Sequence, residues 1–272
     1  MIGNNIGAKT VAVLGLGEAG SLIARDLMAA GVTVRGWDPE PHGDLSGIPM
    51  TGGLLDAVRD ADVIISVNWG TAALQAARDA AQVLRPGQIF ADHNTAGRPL
   101  KLAIAHVIAP TGAAFVDVAM MAPIPGLGMR VPMFLAGERA QELADFYRSF
   151  GTPAEVVGTT PGDAAARKLT RSIFYKGMSA AVCEAIEASR AAGVEEWLRS
   201  DIVRTFVNAD ASTLDRILDG TQKHAGRRAH EMRDVAEMLD ELHIPSTIST
   251  ATAVALERMN AAGGDIAHVR PR

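Results

Sequence analysis

Residues 10–38 read TVAVLGLGEAGSLIARDLMAAGVTVRGWD, and the fold is decided here. TVAVLGLG (10–17) is a short β-branched run of the kind that forms a buried strand. SLIARDLMAAG (21–31) has helical periodicity and stops at a glycine, and VTVRGWD (32–38) reads as a second strand. Between the first strand and the helix, GLGEAG sets Gly15, Gly17 and Gly20 in the G-x-G-x-x-G spacing. The three glycines serve a tight turn, close approach of main chain to a pyrophosphate, and close packing of helix on strand. The helix that opens here aims its unsatisfied N–H groups and the positive end of its dipole at the phosphates. Such a hexapeptide alone is weak evidence. The flanking strand, helix and second strand ending in an acid supply the context that the motif requires. Gly15, Leu16, Gly17, Glu18, Ala19 and Gly20 are therefore read as the phosphate-binding turn for a nicotinamide dinucleotide. Asp38 stands where a carboxylate accepts hydrogen bonds from the adenosine ribose and repels a 2′-phosphate. That favours NAD and leaves NADP possible, since Arg35 lies on the same strand.

Outward from this stretch, strand and helix patterns alternate. DVIISVN (62–68), QIFADHN (88–94), AAFVDVAM (113–120), PMFLAG (132–137) and PAEVVG (153–158) read as strands. LLDAVRDA, ALQAARDAAQVL, PLKLAIAHVI and a segment from about Arg139 to Phe150 read as the helices between them. The order predicts an α/β fold, a doubly wound and mostly parallel Rossmann sheet with right-handed crossovers. After Gly158 no strand pattern follows. Residues 164–193 read as one long interdomain helix, and the segments through 224–242 and 249–262 are helical too. The expected organisation is a dinucleotide-binding domain at 1–160 and an all-α substrate and dimerisation domain at 161–272. A helix of that length leaves much apolar surface to cover, which suits a homodimer.

The chain has 272 residues, 48% of them apolar and 21% charged, which suits a globular protein of two domains. A net charge of −5 with no Lys/Arg block gives no reason to expect a nucleic acid or an anionic membrane as partner. No apolar run approaches the roughly 20 residues that span a bilayer. The first residues lack a basic segment before their apolar run, so no signal peptide is expected. A single cysteine, Cys183, excludes an internal disulfide and suits a reducing, cytoplasmic setting. His224 and His230 do not share a helical face, and no carboxylate cluster joins them, so no metal is expected.

Ligands of such sheets lie beyond the carboxyl ends of the strands. VNWG (67–70) and DHNTAG (92–97) occupy those positions, which places Val67, Asn68 and Thr95 within reach of a cofactor. His93, with no visible partner, is read as structural.

Several segments resemble, in the same order, those of the β-hydroxyacid dehydrogenase superfamily, which includes 3-hydroxyisobutyrate and 6-phosphogluconate dehydrogenases. GLGEAG is similar to its GLGxMG turn, with Ala19 in place of methionine. ADHNTAGRP resembles D-x-S-T-x-x-P, with Asn94 for serine. VDVAMMAPIPG aligns with a substrate-binding D-A-P-V-S-G-G segment in which only Asp117 stays in place. Met121, Ala122 and Pro123 stand where Ser-Gly-Gly would hold a substrate carboxylate. GDAAARKLTRS resembles G-x-G-x-x-x-K-x-x-N-N, with Arg171 and Ser172 for the two asparagines, and Glu184 matches a Glu-Ala pair beyond it. EMRDVA is similar to M-L-K-D-L, with Arg233 at the lysine. Lys168, Arg171, Ser172 and Lys176 follow the K-x-x-R-S-x-x-x-K pattern of a less characterised subgroup. The resemblance implies an NAD(P)-dependent oxidoreductase acting on a small polar substrate, a β-hydroxyacid or related alcohol, with Lys168 as general acid/base. It also implies cofactor contact by Arg233 and a homodimer. Imine reductases share this architecture but commonly lack the lysine, and a cofactor-binding protein without turnover is the alternative of another class.

The chemistry of the segment agrees. Hydride transfer from a hydroxyl carbon leaves a proton to remove, which an amine does when its charged form is disfavoured. Lys168 sits in the first turns of the long helix, and Arg167, Arg171 and Lys176 are like-charged neighbours. Lys168, Arg171, Ser172, Tyr175 and Lys176 share one helical face, expected to form one wall of an interdomain cleft. In the second domain, His224, Arg227 or Arg228 and Glu231 recur at helical spacing, so His224 is a candidate to bind a substrate carboxylate or shuttle protons.

Overall fold

The protein is described by a computed structural model covering residues 9–263. Its first strand, β1 (Thr10–Leu14), alternates two apolar layers: Val11 and Val13 face one, Ala12 and Leu14 the other. Both faces of a strand can be apolar only when helices cover both, so β1 belongs to a buried parallel sheet. The first layer packs under α1 (Glu18–Ala29) through Ile23, Ala24 and Leu27. The second packs under α2 (Leu54–Arg59), α3 (Ala73–Ala81) and α4 (Arg98–Ile108). In α3 the buried positions Ala73, Ala76, Ala77 and Ala80 are all alanine, which lets that helix lie close on the sheet.

The sheet has seven strands in the order β2-β1-β3-β4-β5-β6-β7. They are β2 (Thr33–Trp37), β3 (Val63–Ser66), β4 (Ile89–Asp92), β5 (Ala114–Met120), β6 (Met133–Ala136) and β7 (Ala154–Gly158) besides β1. All pairings are parallel except β5 with β6, a connection too short for a crossover helix. α5 (Ala140–Arg148) makes the crossover between β6 and β7. The strand order reverses between β1 and β3, the switch point beside which ligands of such sheets sit. The doubly wound sheet read from the sequence is therefore present.

α6 (Asp163–Ala191) is one continuous helix of 29 residues. The chain divides into two compact units, the first ending at Arg171 and the second beginning at Ser172, so α6 contributes to both. The second unit is helical throughout its described residues, with α7 (Glu195–Val207), α8 (Ala211–Glu241) and α9 (Thr247–Ala261). Its α8 and α9 pack at close range: a Cβ on Gly226 would stand 2.8 Å from Asn260 Oδ1. Among the described residues no helix is long and apolar enough to cross a membrane.

Candidate functional site

The glycine-rich turn links β1 to α1 at the switch point. Gly15 has φ +94°, and a Cβ there would lie 2.2 Å from the Val67 carbonyl oxygen. A Cβ on Gly20 would lie 1.9 Å from the Gly15 carbonyl oxygen. Both glycines are thus demanded by main chain packed against them. Gly17 differs, since a Cβ there would meet nothing within 4 Å. Its place at the N-cap of α1, where no side chain caps the first turn, leaves space and main-chain donors for a ligand. Tight packing on both sides of one open, uncapped helix start fits a dinucleotide pyrophosphate. Glu18 and Ala19 form the first residues of that helix.

Asp38, just past β2, braces this turn. Its Oδ2 accepts the Leu16 N–H at 2.6 Å and its Oδ1 accepts the Glu40 N–H at 2.9 Å. The carboxylate expected at the ribose is therefore also what fixes the loop around Leu16. Arg35 is turned away to the Asp56 carbonyl, to which its Nη2 donates at 2.6 Å.

The ends of β3 and β4 are joined by a polar network. Asn68 N–H donates to Asn94 Oδ1 at 2.5 Å, and Asn68 Nδ2 donates to Ser66 Oγ at 2.9 Å. Asn94 Nδ2 donates to Ser66 Oγ at 3.1 Å and to Asp92 Oδ1. Asn94, which stands where the resemblance has serine, is buried and uses both ends of its amide. Val67 and Asn68 thereby border Gly15, while Thr95 is exposed at the end of β4. His93 is buried, with its Nε2 2.8 Å from the Tyr147 hydroxyl. Burial first, then the charges of Lys101 and Lys168, push its pKa down to about 3, so the ring is neutral. Burial raises the Tyr147 hydroxyl above its ordinary range, so it stays protonated and can donate to that ring.

α6 brings Lys168 to the end of β4, where its Nζ donates to Thr95 Oγ1 at 2.9 Å. Arg171 Nη1 donates to the Met121 carbonyl at 2.8 Å. The start of α6 is closely fixed. Gly162 has φ +96°, and a Cβ on it would meet Arg98 Cγ at 2.6 Å. Asp117 Oδ2 accepts the N–H groups of Gly162 and Ala165 at 3.2 and 2.9 Å. The other Asp117 oxygen lies 2.9 Å from Lys101 Nζ, which also pairs with Asp92 at 2.8 Å; all three side chains are fully buried. Burial raises the Asp92 pKa, against the opposing pull of Lys101 and Asn94. Lys101 had no role in the sequence reading, and Asp92 and Asp117 only that of aligned positions.

Within the first unit the structure thus gathers Gly15 to Gly20, Asp38, Val67, Asn68, Thr95, Met121, Ala122, Pro123, Lys168 and Arg171. Ser172 and Lys176 continue along α6 in the second unit, where Lys176 is exposed. His224 sits at an interruption of α8, with φ −122° and ψ 20°. That break removes the uninterrupted helical face expected to join it to Arg227 and Glu231. Arg227 instead pairs with Glu231 at 2.5 Å, and Arg228 donates to Thr221 Oγ1 at 2.5 Å. Arg233 forms an ion pair with Glu257 of α9, its Nε donating at 2.7 Å. Glu184 of α6, read from the sequence only as an aligned position, accepts the Ile248 and Ser249 N–H groups and the Ser249 hydroxyl at the start of α9.

Residues 10–126 match the NAD binding domain of 6-phosphogluconate dehydrogenase, and residues 189–259 match a domain of unknown function. A conserved hypothetical protein from Sinorhizobium meliloti 1021 is 30% identical, the alignment covering 95% of this chain and 91% of that one, with a TM-score of 0.61. A conserved protein described as structurally similar to 3-hydroxyacid dehydrogenases is 29% identical, with 93% and 99% covered and a TM-score of 0.60. A probable 3-hydroxyisobutyrate dehydrogenase of Mycobacterium tuberculosis is 33% identical over 91 residues, 32% of this chain and 31% of its own. An imine reductase from Myxococcus stipitatus in complex with NADP+ shares the fold at 19% identity, covering 94% and 95%, with a TM-score of 0.77.

Proposed function

The chain belongs to the β-hydroxyacid dehydrogenase family as a divergent member with an NAD(P)-binding domain, and from that premise we propose that it is an oxidoreductase using Lys168 as general acid/base. Its substrate is a small polar molecule, a β-hydroxyacid or a related alcohol. The observation that carries this reading is the Lys168 Nζ bond to Thr95 Oγ1, at the sheet end that also bears the glycine turn. When bound, the nicotinamide accepts a hydride from the hydroxyl carbon, or returns it to a carbonyl. Lys168 in its neutral form takes the hydroxyl proton during oxidation, and as an ammonium supplies it during reduction. Thr95 fixes the amine's position. Gly17 and the uncapped first turn of α1 would hold the phosphates through main-chain N–H groups, and Asp38, which already accepts the Leu16 N–H, would meet the ribose. The Asp38 carboxylate, with Arg35 committed to the Asp56 carbonyl, favours NAD over NADP.

A second reading has one observation in its favour. Of Met121, Ala122 and Pro123, only Ala122 has a main-chain N–H to offer, because Met121 N–H is bound to the Pro132 carbonyl and proline has none. Substrates without a carboxylate, imines included, therefore also suit the site. The test is a panel of 3-hydroxyacids with NAD+ and NADP+, and of ketones and cyclic imines with NADH and NADPH. Lys168→Ala is expected to lower hydroxyacid turnover by about 100-fold or more while cofactor titration stays unchanged. Undiminished turnover in that variant removes the lysine from the mechanism. Cofactor binding with no turnover on any substrate class favours a cofactor-binding protein.

A further inference from the structure

Lys101 of α4 is entirely enclosed, and so are Asp92 of β4 and Asp117 of β5. Its ammonium donates to Asp92 Oδ2 at 2.8 Å and to the Asp92 carbonyl at 2.9 Å, and stands 2.9 Å from Asp117 Oδ1. Bringing three charges out of water is costly, and apolar packing often does as well for stability. Two carboxylates about one ammonium do not even balance. The value of the cluster lies in what it connects.

Two chains of contacts leave it. Along one, Asp117 Oδ2 accepts the Gly162 and Ala165 N–H groups and so caps α6, where a negative charge also complements the helix dipole. One turn beyond Ala165, that helix carries Lys168. Along the other, Asp92 is held through its main chain and side chain, and the residues after it lead directly to Thr95. The Lys168–Thr95 bond closes the loop. Both of its ends are tied to one buried ion cluster, and Lys101 touches neither.

We propose that Lys101 and Asp117 are positioning residues that set the Lys168 amine against Thr95 by fixing the start of α6. The inference rests on the reading of Lys168 as the acid/base group for its importance, although its geometry does not depend on that role.

The test reads Lys168 directly. The full-length protein is acylated with trace acetic anhydride across pH 6–10, a range set around ordinary amine titration, and each lysine is quantified by mass spectrometry. Asp117→Asn leaves a charge-balanced Asp92–Lys101 pair and is expected to fold. Lys101→Met is the second variant, and Thr95→Ala gives the reference for Lys168 without the Thr95 hydroxyl. Losing one ordinary hydrogen bond corresponds to about a fivefold rise in labelling. Asp117→Asn and Lys101→Met should approach the Thr95→Ala value at Lys168, with Lys176 and Lys223 unchanged. Unchanged Lys168 labelling in a folded variant overturns the proposal. A parallel rise at all the lysines also overturns it, because that marks general loosening. Because acylation is not turnover, retained activity in Lys168→Ala would remove only the proton-transfer role and leave this result to stand.

Discussion

His93 offers a quantitative test of the site's electrostatics. The ring is buried beside Tyr147, and its pKa falls from the ordinary 6.5 to about 3, through burial first and then through Lys101 and Lys168. Between those two values the unfolded chain binds a proton that the folded one refuses. Stability then rises with pH across this window: it is fully present above about 6.5 and lost as pH falls toward 3. For these values, the loss between pH 7 and pH 5 is about 2 kcal/mol. Asp92 acts in the opposite sense. Its raised folded pKa means the folded state takes up the proton first, so its contribution improves on acidification.

Comparison with His93→Gln isolates the histidine, because Asp92 is common to both proteins. Glutamine does not titrate and can still accept from the Tyr147 hydroxyl. Trp37 and Trp69 lie in the first unit and Trp197 in the second, so a Trp197→Phe background makes fluorescence report the first unit. Urea unfolding at pH 7 and pH 5 should show the parent losing about 2 kcal/mol more than the variant. Profiles that stay parallel within about 0.5 kcal/mol would refute the reasoning, since the folded ring would then take up its proton as readily as the unfolded chain does.

Gly17→Ala should fold normally, because its Cβ meets nothing, yet weaken NAD+ binding by about tenfold in a fluorescence titration. Gly20→Ala, with its Cβ 1.9 Å from the Gly15 carbonyl oxygen, should instead destabilise the first unit and abolish binding. Glu184→Ala removes the acceptor for two α9 N–H groups and should cost about 1–2 kcal/mol by urea unfolding followed at Trp197. Burial works to raise the Glu184 carboxyl, but hydrogen bonds from Ser249 and Ile248 lower it on balance, so this stabilisation should be present above ordinary carboxylate pH and fade in acid. Ile173, Phe174, Trp197, Phe206 and Val207 of the helical unit are more than half exposed, which suits a homodimer. Sedimentation equilibrium should give twice the chain mass, and Phe206→Glu with Val207→Glu should halve it; a monomeric parent protein contradicts that expectation.

What the sequence made legible was whatever depends on neighbours along the chain. The β1 turn announces itself because three glycines must fall at fixed spacing, and the buried strands because both of their faces are apolar. Lys101 was illegible for the opposite reason. Within PLKLAIAHVI it reads as the polar residue of an amphipathic helix, and only Asp92 and Asp117, delivered by two other strands, make its burial tolerable. Asn94 read as a departure from serine, whereas its amide spans Asp92, Ser66 and Asn68 at once. The break at His224 lies inside a segment whose periodicity runs on without interruption. Glu184 drew notice by its spacing, but its work at the α9 start depends on residues far along the chain.

The same distinction separates the chemistry of the site from its selectivity. A Ser-Gly-Gly segment holds a carboxylate because glycine lets consecutive main-chain N–H groups turn toward one anion. At Met121–Pro123 one such donor is spent on the Pro132 carbonyl, just beyond the β5–β6 pairing, and another is absent by covalent structure. Arg171 is drawn to the Met121 carbonyl. Any carboxylate bound here would find one main-chain N–H at most, that of Ala122, and would otherwise be met by side chains, whose reach and flexibility tolerate more varied substrates than a rigid nest of N–H groups. The proton-handling geometry proposed for Lys168 and Thr95 does not draw on that segment, since the start of α6 is held by Asp117, which Lys101 contacts. Under the proposed function, absence of the anion nest and presence of the lysine are thus compatible, and together they suit one reaction type applied to an altered range of substrates.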